Sequence, residues 1–375
     1  MKIAVNTRLL LKDKLDGIGR FTNELMFRIV AAHPECEFHF LFDRPFDPEF
    51  VRYKNIVPHV VRPPLRHALL GWIWFDWSVR RKLKKIKPDV FFSPDSMNLL
   101  KPVCKNSTVI HDLNFEHFPE YLTFFLRYYY QKRSPIIARN ASALVTVSDF
   151  SAKDIAAQYS IDPSKIHVIY NAAGAEFKPI TENEKIQVRK EFTDGKEFFV
   201  YVGSLYKRKN LLTQLRAFDL FKASSGSDIK FLIAGNPDKD AEALIEHIEH
   251  SNYKDDIILY GRLSESKLPA VLSAATALIY VSSFEGFGMP ILEAMSCGTP
   301  ALTSNTSSMP EVAGEAALYA DPFNIGEIAK CMHDISSNQE LRDRLAQNAM
   351  KQVMKFNWDK SADQLWEVLS SVAKA

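Results

Sequence analysis

The stretch "ALIYVSSFEGFGMPILEAMSCGTPALTS", residues 277–304, decides the fold class. It begins with an apolar run, continues through a loop that contains two glycines, and ends with the second apolar run "TPALTS". Between the two runs lies "MPILEAMSCG", which we predict to be a helix from Met289 to Gly298, because Pro290 suits the first turn of a helix. A strand, a helix and another strand in this order are typical of parallel sheets covered by helices.

The loop of this stretch carries carboxylates around its glycines, Gly286 and Gly288. Glu285 lies in the loop and Glu293 in the first turn of the predicted helix. The N–H groups of Gly288, Met289 and the following residues suit an anion such as phosphate. A carboxylate accepts two hydrogen bonds, so either glutamate can hold a vicinal diol of a ribose or a hexose. In the alternative interpretation, Glu293 only complements the helix dipole and Glu285 is solvated.

The same alternation of apolar runs and helical stretches continues through the whole chain, in two series. The strands predicted in the first series are "KIAVNT", "EFHFLF", "DVFFSP", "STVIHD", "SALVTVS" and "HVIYN". Those in the second series are "EFFVYVGS", "KFLIAG", "DIILYG", "ALIYVSS" and "TPALTS". The sequence therefore predicts an α/β protein with two Rossmann-like domains of parallel strands that face each other across a cleft.

The domain boundaries follow from where the second series starts. We predict an N-terminal domain over 1–175, a polar linker with one helix over 176–195, and a C-terminal domain over 196–357. A final helix over 358–375 is able to pack back on the N-terminal domain. In open α/β sheets, ligands bind outside the carboxyl ends of the strands, so the loops after the strands are the candidates for function.

The composition excludes several other classes of protein. With 375 residues, 46% hydrophobic and 25% charged, the chain is typical of a globular protein of two domains. The net charge of +2 gives no general argument for nucleic acid. Four scattered cysteines indicate neither a zinc site nor a disulfide framework, and they suit a reducing compartment. The start "MKIAVNTRLLL" does not resemble a secretory signal, so we expect a cytoplasmic protein.

The loop after the first strand of the second domain, "YVGSLYKRKNLL" at 201–212, is basic. Gly203 and Ser204 end the strand, and Lys207, Arg208 and Lys209 follow. Three cations at the carboxyl end of a strand can bind a diphosphate, since Arg offers a planar fork of donors and Lys a point charge. A solvated basic turn is the alternative.

Two loops of the first domain are further candidates. "LDGIGRFTNEL" contains Gly17 and Gly19, which permit close approach of a ligand, with a helix that starts near Arg20; a plain tight turn fits equally well. "TVIHDLNFEHFPEY" ends a strand with His111 and Asp112. A histidine there can hydrogen-bond a sugar hydroxyl, and the aspartate can fix its tautomer or a nearby backbone group.

Taken together, these segments resemble the retaining glycosyltransferases of family four, which have the GT-B fold of two facing Rossmann-like domains. The resemblance extends over essentially the whole chain. It is carried by "GIGRFTNEL", "VIHDLNFEHFPEYL", "VTVSDFSAKDI", "HVIYNAAGAEFKP", "YVGSLYKRKNL" and "LIAG". The most specific segments are the run from "ILYGRLSESKLPAVL" to "EGFGMPILEAMSCGTP" and the segment "SSMPEVAGEAALYADP", which follow "KRKN" in this order. The chain looks most similar to bacterial mannosyltransferases of surface-polysaccharide synthesis.

The resemblance implies that the second domain binds a nucleotide sugar and the first domain the acceptor. It implies that Glu285 holds hydroxyls of the transferred sugar and Glu293 the ribose, while Arg208 and Lys209 neutralise the diphosphate. The resemblance also implies that Gly286, Phe287, Gly288 and Met289 offer backbone N–H groups, with Pro290 beside them in the first turn of the helix. The remaining implied contacts are His111 with Asp112 near the donor sugar, Gly17 beside the phosphates, and Gly203 with Ser204. Many relatives have Arg where this chain has Ser204, so the diphosphate depends more on Arg208 and Lys209.

The resemblance also implies a reaction that retains the anomeric configuration without a metal or another cofactor. The chain offers no convincing Asp-x-Asp pair at a strand end, because "DKD" at 238–240 lies in a polar helix start. The leaving diphosphate is expected to depart on the face that the acceptor hydroxyl attacks and to take its proton. Electrostatic preorganisation then supplies most of the catalysis.

Donor and acceptor are predicted by family likeness alone. We expect mannose from GDP-mannose, moved to a glycan or a lipid-linked acceptor in polysaccharide or lipopolysaccharide biosynthesis. Glucose, galactose or N-acetylglucosamine from a UDP-sugar stays open, as does a GT-B protein that binds a nucleotide sugar without transferring it. An epimerase or a GT-B phosphorylase fits the sequence less well, since a phosphorylase needs a pyridoxal lysine and a far longer chain.

Two segments suggest contact with an anionic membrane. Residues 66–89 place Trp72, Trp74 and Trp77 just before a run of six cations within 80–87. Residues 121–139 repeat the combination of aromatic and basic side chains. Such segments suit the headgroup region of a bilayer, and a peripheral position at the inner face of the cytoplasmic membrane would serve a lipid-linked acceptor. The alternative is that the aromatics are core and the lysines are solvated.

Overall fold

The computed structural model describes residues 1–12, 15, 17–65, 68–236 and 241–375. The chain forms two compact units. The first consists of Met1–Asn171 together with Asn357–Ala375, and the second of Ala172–Phe356. The "DKD" segment predicted as a polar helix start lies outside the described residues.

The first unit is built on a parallel sheet of seven strands in the order β3-β2-β1-β4-β5-β6-β7. The strands are β1 (Lys2–Asn6), β2 (Glu37–Phe42), β3 (Ile56–Val60), β4 (Val90–Ser93), β5 (Asn106–Val109), β6 (Ala143–Thr146) and β7 (Ile166–Val168). Its helices before residue 171 are α1 (Gly17–Ala32), α2 (Ala68–Ile73), α3 (Arg80–Ile86), α4 (Asn114–His117), α5 (Phe124–Asn140) and α6 (Asp149–Tyr159), and a π-helical turn, Trp74–Val79, joins α2 to α3. Short 3-10 turns lie at Pro48–Val51, Pro119–Tyr121 and Pro163–Lys165.

The second unit repeats this plan with six parallel strands in the order β10-β9-β8-β11-β12-β13. These strands are β8 (Phe198–Val202), β9 (Lys230–Ala234), β10 (Ile257–Gly261), β11 (Ala277–Tyr280), β12 (Ala301–Ser304) and β13 (Ala317–Ala320). The helices are α7 (Glu182–Thr193), α8 (Leu211–Ser225), α9 (Glu242–His250), α10 (Leu268–Ala274), α11 (Met289–Ser296), α12 (Met309–Ala313), α13 (Ile325–Ser337) and α14 (Gln339–Val353). 3-10 turns lie at Lys207–Lys209, Lys254–Asp256 and Gly314–Ala316.

The central strands are apolar because helices cover both faces of each sheet. Every residue of β4, β6, β11 and β12 is buried, as expected for parallel strands without a solvent face. The predicted α/β class with two Rossmann-like sheets is confirmed. Counted from its own first strand, the second sheet has the order 3-2-1-4-5-6 of the doubly wound Rossmann fold, which reverses direction between β8 and β11. The first sheet reverses in the same way between β1 and β4.

The last helix, α15 (Trp358–Lys374), belongs to the first unit. Asn357 caps its start, and the helix packs on α1, where Arg28 Nε donates to Asp359 over 2.7 Å. Two ring contacts fix the pair: His33 stacks on Trp366 at 3.5 Å between centroids, and Phe21 meets Trp358 edge-on.

Several sequence-based boundaries differ from the structure. The stretch predicted as a linker, 176–195, lies in the second unit, where α7 packs against α10. A capping box between Thr181 and Glu184 starts α7. The helix predicted to start near Arg20 begins at Gly17. In the part of the chain that the structure describes, no helix combines the length and the apolar character that a membrane crossing requires.

Candidate active site

The reversal point of the second sheet brings two loops together. One loop follows β8 and contains the basic turn; the other follows β11 and contains Glu285. Hydrogen bonds to backbone carbonyls join the loops: Ser283 N–H donates to the Arg208 carbonyl over 2.9 Å, and Asn210 Nδ2 donates to the Val281 carbonyl over 3.1 Å. Because ligands of doubly wound sheets bind where the strand order reverses, this is where a site is expected.

Glu285 lies at the centre of these loops and is paired with both predicted cations. Lys209 Nζ donates to Oε1 over 2.6 Å, and Arg208 Nη1 donates to Oε2 over 3.0 Å. The Glu285 side chain is only 7% exposed, against 11% for Lys209 and 24% for Arg208. The interpretation of Glu285 as a solvated loop carboxylate is therefore wrong.

The two cations keep Glu285 ionised. Burial alone would raise its pKa, but the charges of Lys209 and Arg208, together with hydrogen bonds, outweigh burial and lower the pKa to about 2. A depressed folded-state pKa contributes stability above the ordinary value of 4.5, and this contribution is lost only as the pH falls toward 2. The site therefore presents a fixed carboxylate at any physiological pH.

Tyr280, which sequence reasoning missed, completes this arrangement. Its hydroxyl accepts a short hydrogen bond from Lys209 Nζ and donates to Glu285 Oε1 over 3.0 Å. The ring is fully buried and stacks on Tyr201 at 6.0 Å between centroids. Burial, followed by the charge of Glu285, raises the pKa of Tyr280 well above its ordinary value, so the hydroxyl keeps its proton. The only sequence signal was the position of Tyr280 at the carboxyl end of a central strand.

Serines 307 and 308 hold the Glu285 loop from the other side, and the sequence analysis did not single them out. The Glu285 N–H donates to Ser307 Oγ over 3.1 Å. Ser308 Oγ lies 2.8 Å from the Glu285 carbonyl and 3.0 Å from the Phe287 carbonyl, and donates to them. The loop backbone is thus fixed before any ligand arrives.

The helix that follows the loop begins as predicted. Gly288 has φ +102°, a left-handed conformation that favours glycine, and caps α11, which starts at Met289. Pro290 has no N–H and Ile291 N–H donates to the Gly288 carbonyl over 3.0 Å, so the terminal donors are those of Gly288 and Met289. The side chain of Phe287 is buried against Phe356, which leaves its backbone as the part able to meet a ligand.

Glu293 lies in the second turn of α11, as its fifth residue, and not in the first turn as predicted. The start at Met289 is as predicted, but Glu293 follows four residues later, which is more than one turn of 3.6 residues. Its side chain is nonetheless buried, with 8% of the residue exposed. Gly286, between the two glutamates in sequence, is buried as well.

The end of β8 approaches the neighbouring strand closely. Gly203 has φ +142°, and a Cβ at Gly235, after β9, would lie 1.9 Å from the Gly203 carbonyl oxygen. Only glycine fits at this crossing. Ser204 is exposed, and its carbonyl accepts a hydrogen bond from the Tyr201 hydroxyl over 2.9 Å.

The other predicted residues, Gly17, His111 and Asp112, belong to the first unit. His111 Nε2 lies 2.8 Å from the Pro94 carbonyl, which only accepts, so Nε2 carries the proton. Asp112 Oδ1 accepts from Asn114 N–H over 3.1 Å, which is the backbone role considered for it. A Cβ at Gly17 would meet no described atom within 4 Å, so packing inside this unit does not require glycine there.

Chemically, the second-unit site combines two cations, one carboxylate and a helix start. The two positive charges of Arg208 and Lys209 exceed the one negative charge of Glu285, which suits an anion, while the carboxylate suits hydroxyl donors. Within the described residues, no cluster of three or more His, Cys, Asp or Glu side chains is placed to hold a metal ion.

Both halves of the chain match known families of sugar-transferring enzymes. Residues 15–176 match the family described as "Glycosyltransferase Family 4", and residues 182–352 the family described as "Glycosyl transferases group 1". The fold and these matches define a glycosyltransferase of the GT-B type. The chain belongs to glycosyltransferase family 4, and the predicted family and fold are confirmed.

Individual relatives extend over nearly the whole chain. The "O-antigen chain mannosyltransferase B" of Escherichia coli is 26% identical over 97% of this chain and 98% of its own. Among solved structures, WaaG, described as a glycosyltransferase involved in lipopolysaccharide biosynthesis, superimposes with a TM-score of 0.78 at 15% identity, over 98% of this chain and 99% of its own. HepE of Anabaena, solved in complex with UDP and glucose, gives a TM-score of 0.74 at 16% identity, over 99% of this chain and 100% of its own.

Proposed function

We propose that this enzyme transfers mannose from GDP-mannose, with retention of anomeric configuration, to a glycan or lipid-linked acceptor during the assembly of a surface polysaccharide such as O-antigen. The observation that carries the proposal is the ionised Glu285, held between Lys209 and Arg208 at the reversal point of the second sheet. The name of the E. coli relative supports mannose and O-antigen. The proposed setting is the cytoplasm, at the inner face of the membrane.

In this proposal each group at the site has one role. Glu285 accepts hydrogen bonds from hydroxyls of the transferred sugar, and Glu293 from the ribose. Arg208, Lys209 and the N–H groups of Gly288 and Met289 meet the diphosphate. Ser204 and Gly203 border it at the end of β8, and Gly17 leaves room beside the phosphates.

The reaction needs no protein nucleophile. The bond between the anomeric carbon and the diphosphate oxygen breaks while the acceptor oxygen bonds to that carbon on the same face. The acceptor proton passes to the departing diphosphate, whose charge the two cations stabilise. His111, with Nε2 fixed to the Pro94 carbonyl, lies near the reacting carbon in this scheme.

A panel of nucleotide sugars tests the donor. GDP-mannose is expected to raise the melting temperature most, because at equal concentrations the donor with the lowest Kd stabilises the protein most. A ligand at about 100 times its Kd adds about 2.7 kcal/mol to stability. Transfer to an octyl-linked mannose disaccharide, followed by NMR of the new anomeric centre, tests turnover and stereochemistry. Stabilisation by UDP-glucose instead would favour the second candidate, a UDP-sugar transferase. The UDP and glucose bound to HepE support this candidate. Donor binding with neither transfer nor slow hydrolysis would indicate a non-catalytic binding protein.

We expect the enzyme to work without a metal or another cofactor, because Arg208, Lys209 and the start of α11 meet the phosphate charge. Transfer rates measured in excess EDTA should equal those in buffer alone. A loss on chelation that Mg²⁺ or Mn²⁺ restores would contradict the metal-independent scheme.

Replacement of Glu293 by alanine is expected to weaken donor binding with little change in kcat. A hydrogen bond to a charged group contributes about 1.5 to 3 kcal/mol, so the donor KM should rise roughly tenfold to a hundredfold. Initial rates over a range of donor concentrations measure this. The matched control, Glu340→Ala, removes an exposed carboxylate from the first turn of α14 and should change neither constant. An unchanged donor KM in Glu293→Ala would remove the residue from the ribose site.

Contact with an anionic membrane remains part of the proposal, and the structure brings its two segments together. Helices α2 and α5 pack against each other, and Arg133 Nη2 donates to Asp76 Oδ2 over 2.6 Å. We call the exposed apolar side chains of α2, of the π-helical turn after it and of the start of α5 the aromatic face. They are Trp72 (41% exposed), Ile73 (50%), Trp77 (78%), Phe124 (64%), Phe125 (63%) and Tyr128 (47%). Trp74, grouped with the other tryptophans in the sequence analysis, is instead buried in the core.

We expect sedimentation with phosphatidylglycerol vesicles at low salt, and loss of binding as salt is added. The cations Arg81, Lys84, Lys85 and Lys87 are exposed, and each basic residue near an anionic surface contributes about 1 kcal/mol until salt screens it. Trp77→Ser with Phe124→Ser should abolish binding. Phe323→Ser, which removes a 67% exposed aromatic of the second unit, is the control. Unchanged partition of the double variant would show that the aromatic face is ordinary surface.

A further inference from the structure

The first sheet also reverses its strand order, and a polar cluster that the sequence analysis did not find lies at that point. Asp95, after β4, is 3% exposed and receives Arg8 Nε over 2.7 Å. Its other oxygen, Oδ1, accepts from Met97 N–H over 3.0 Å and Asn6 Nδ2 over 3.3 Å. Asn6 Nδ2 also donates to Ser93 Oγ over 3.0 Å. The carboxyl ends of β1 and β4 are thus joined by a fixed network.

This network fixes the guanidinium of Arg8 but does not engage all of its N–H donors. Nε and Nη2 both point to Asp95 Oδ2, and Nη2 also contacts Met97 Sδ over 3.6 Å. In the described part of the chain, Nη1 makes no hydrogen bond. The side chain is 13% exposed, so a guanidinium with its plane already fixed keeps one edge for a ligand.

The two other polar groups of this region are the Tyr130 hydroxyl and the Asp112 carboxylate. The ring of Tyr130, on α5, is fixed between Phe115, stacked at 4.9 Å, and Tyr129, edge-on at 5.6 Å. Its hydroxyl makes no hydrogen bond to any described residue. Burial raises the pKa of Tyr130 to about 12, with Arg8 acting against the rise and the charges of Asp95 and Asp112 adding to it. The hydroxyl therefore stays protonated. Packing places Tyr130 beside the other two groups, because it contacts the apolar cluster that contains Met97, which Arg8 Nη2 touches, and the cluster that contains Leu113, the residue after Asp112.

We propose that Arg8, Tyr130 and Asp112 form a subsite for the hydroxyl groups of the acceptor's terminal sugar. The inference rests on the proposed function, since it names the residues that recognise the acceptor. Arg8 donates from Nη1, Tyr130 both donates and accepts, and Asp112 accepts at Oδ2, because its Oδ1 already receives Asn114 N–H. A sugar edge with neighbouring hydroxyls matches such a mixture of donors and acceptors.

Charge favours a neutral sugar over the phosphate of a lipid carrier. Asp95 compensates the charge of Arg8, and Asp112 adds a negative charge, so the group as a whole is negative. An anion placed there would meet net repulsion, whereas hydroxyl groups bind with no charge penalty. The subsite is therefore expected to bind the terminal sugar of the acceptor and not the phosphate of its lipid carrier.

The test compares one mannose disaccharide on two carriers, an octyl chain and an octyl diphosphate. Acceptor KM at saturating donor, and acceptor binding by saturation-transfer NMR in the presence of GDP, are measured for wild type, Arg8→Lys and Tyr130→Phe. We expect each variant to raise the acceptor KM and Kd by about tenfold, equally on both carriers, because one hydrogen bond is lost or misplaced. The melting-temperature shift that the donor produces should stay as in wild type. Tyr53→Phe, which removes a phenolic hydroxyl from the segment before β3, is the matched control.

Each result decides the matter. A loss confined to the diphosphate carrier would show that the subsite recognises phosphate. Unchanged acceptor constants in Tyr130→Phe would show that the Tyr130 hydroxyl does not bind the acceptor, and unchanged constants in Arg8→Lys that Arg8 and Asp95 are only a structural ion pair. Any of these results overturns the inference, as does a wild-type protein that binds neither carrier. If Arg8→Lys does not fold, Tyr130→Phe still tests the site. Binding that the variants weaken, without transfer by wild type, would support the subsite while refuting the proposed function.

Discussion

Replacement of Glu285 by glutamine is expected to lower kcat/KM by about a hundredfold or more, the usual effect of removing a preorganised charged group from an active site. Glutamine keeps the shape of the side chain but removes the charge that Lys209 and Arg208 hold in place. Initial-rate kinetics with donor and acceptor varied separately measure the loss. The control is Glu315→Gln, at an exposed carboxylate of the same unit.

The same variant should be less stable than wild type, because it leaves two partly buried cations without their carboxylate. Removing one partner of a buried ion pair costs about 3 to 5 kcal/mol, and the partial exposure of Arg208 places the expected loss at the lower end. A nucleoside diphosphate should restore part of that stability, since its phosphates supply the missing negative charge. Wild-type rates in Glu285→Gln would show that the carboxylate does not belong to the site.

Lys209→Met is expected to reduce kcat/KM by about a hundredfold, whereas Lys207→Met should leave it unchanged. Both lysines belong to the same 3-10 turn, but Lys209 is buried against Glu285 and Tyr280, while Lys207 is exposed. A buried cation aimed at a departing diphosphate stabilises the transition state far more than a solvated one. Comparable losses in the two variants would mean that the turn acts only through its overall charge.

The central strands could be predicted from the sequence because burial on both faces makes them continuous apolar runs. Two strands were missed, β3 with the sequence "IVPHV" and β13 with "ALYA". Both lie at a sheet edge, where one side of the strand lacks a partner and partial exposure weakens the apolar pattern. Pro58 in β3 weakens the signal further, since proline is compatible only with an edge position.

The candidate site was predictable where its residues lie close together in sequence. The basic turn and the Glu285 loop each follow a strand, and their meeting follows from the strand order. Tyr280 was not predictable, because an aromatic residue at the end of a central strand normally belongs to the core. Arg8 and Asp95 lie 87 positions apart and meet only because β1 pairs with β4. No local pattern contains such a contact.

The division of the chain into units sets an order of events during synthesis. Residues 357–375 complete the first unit, yet they leave the ribosome only after the entire second unit has been made. Until then, the face of α1 that receives Trp358 and Trp366 has no cover, although the rest of the first sheet has long been available to fold. The domain translated first is therefore the last to be finished, and its nascent form needs protection from aggregation for the time that the ribosome takes to translate residues 172–356.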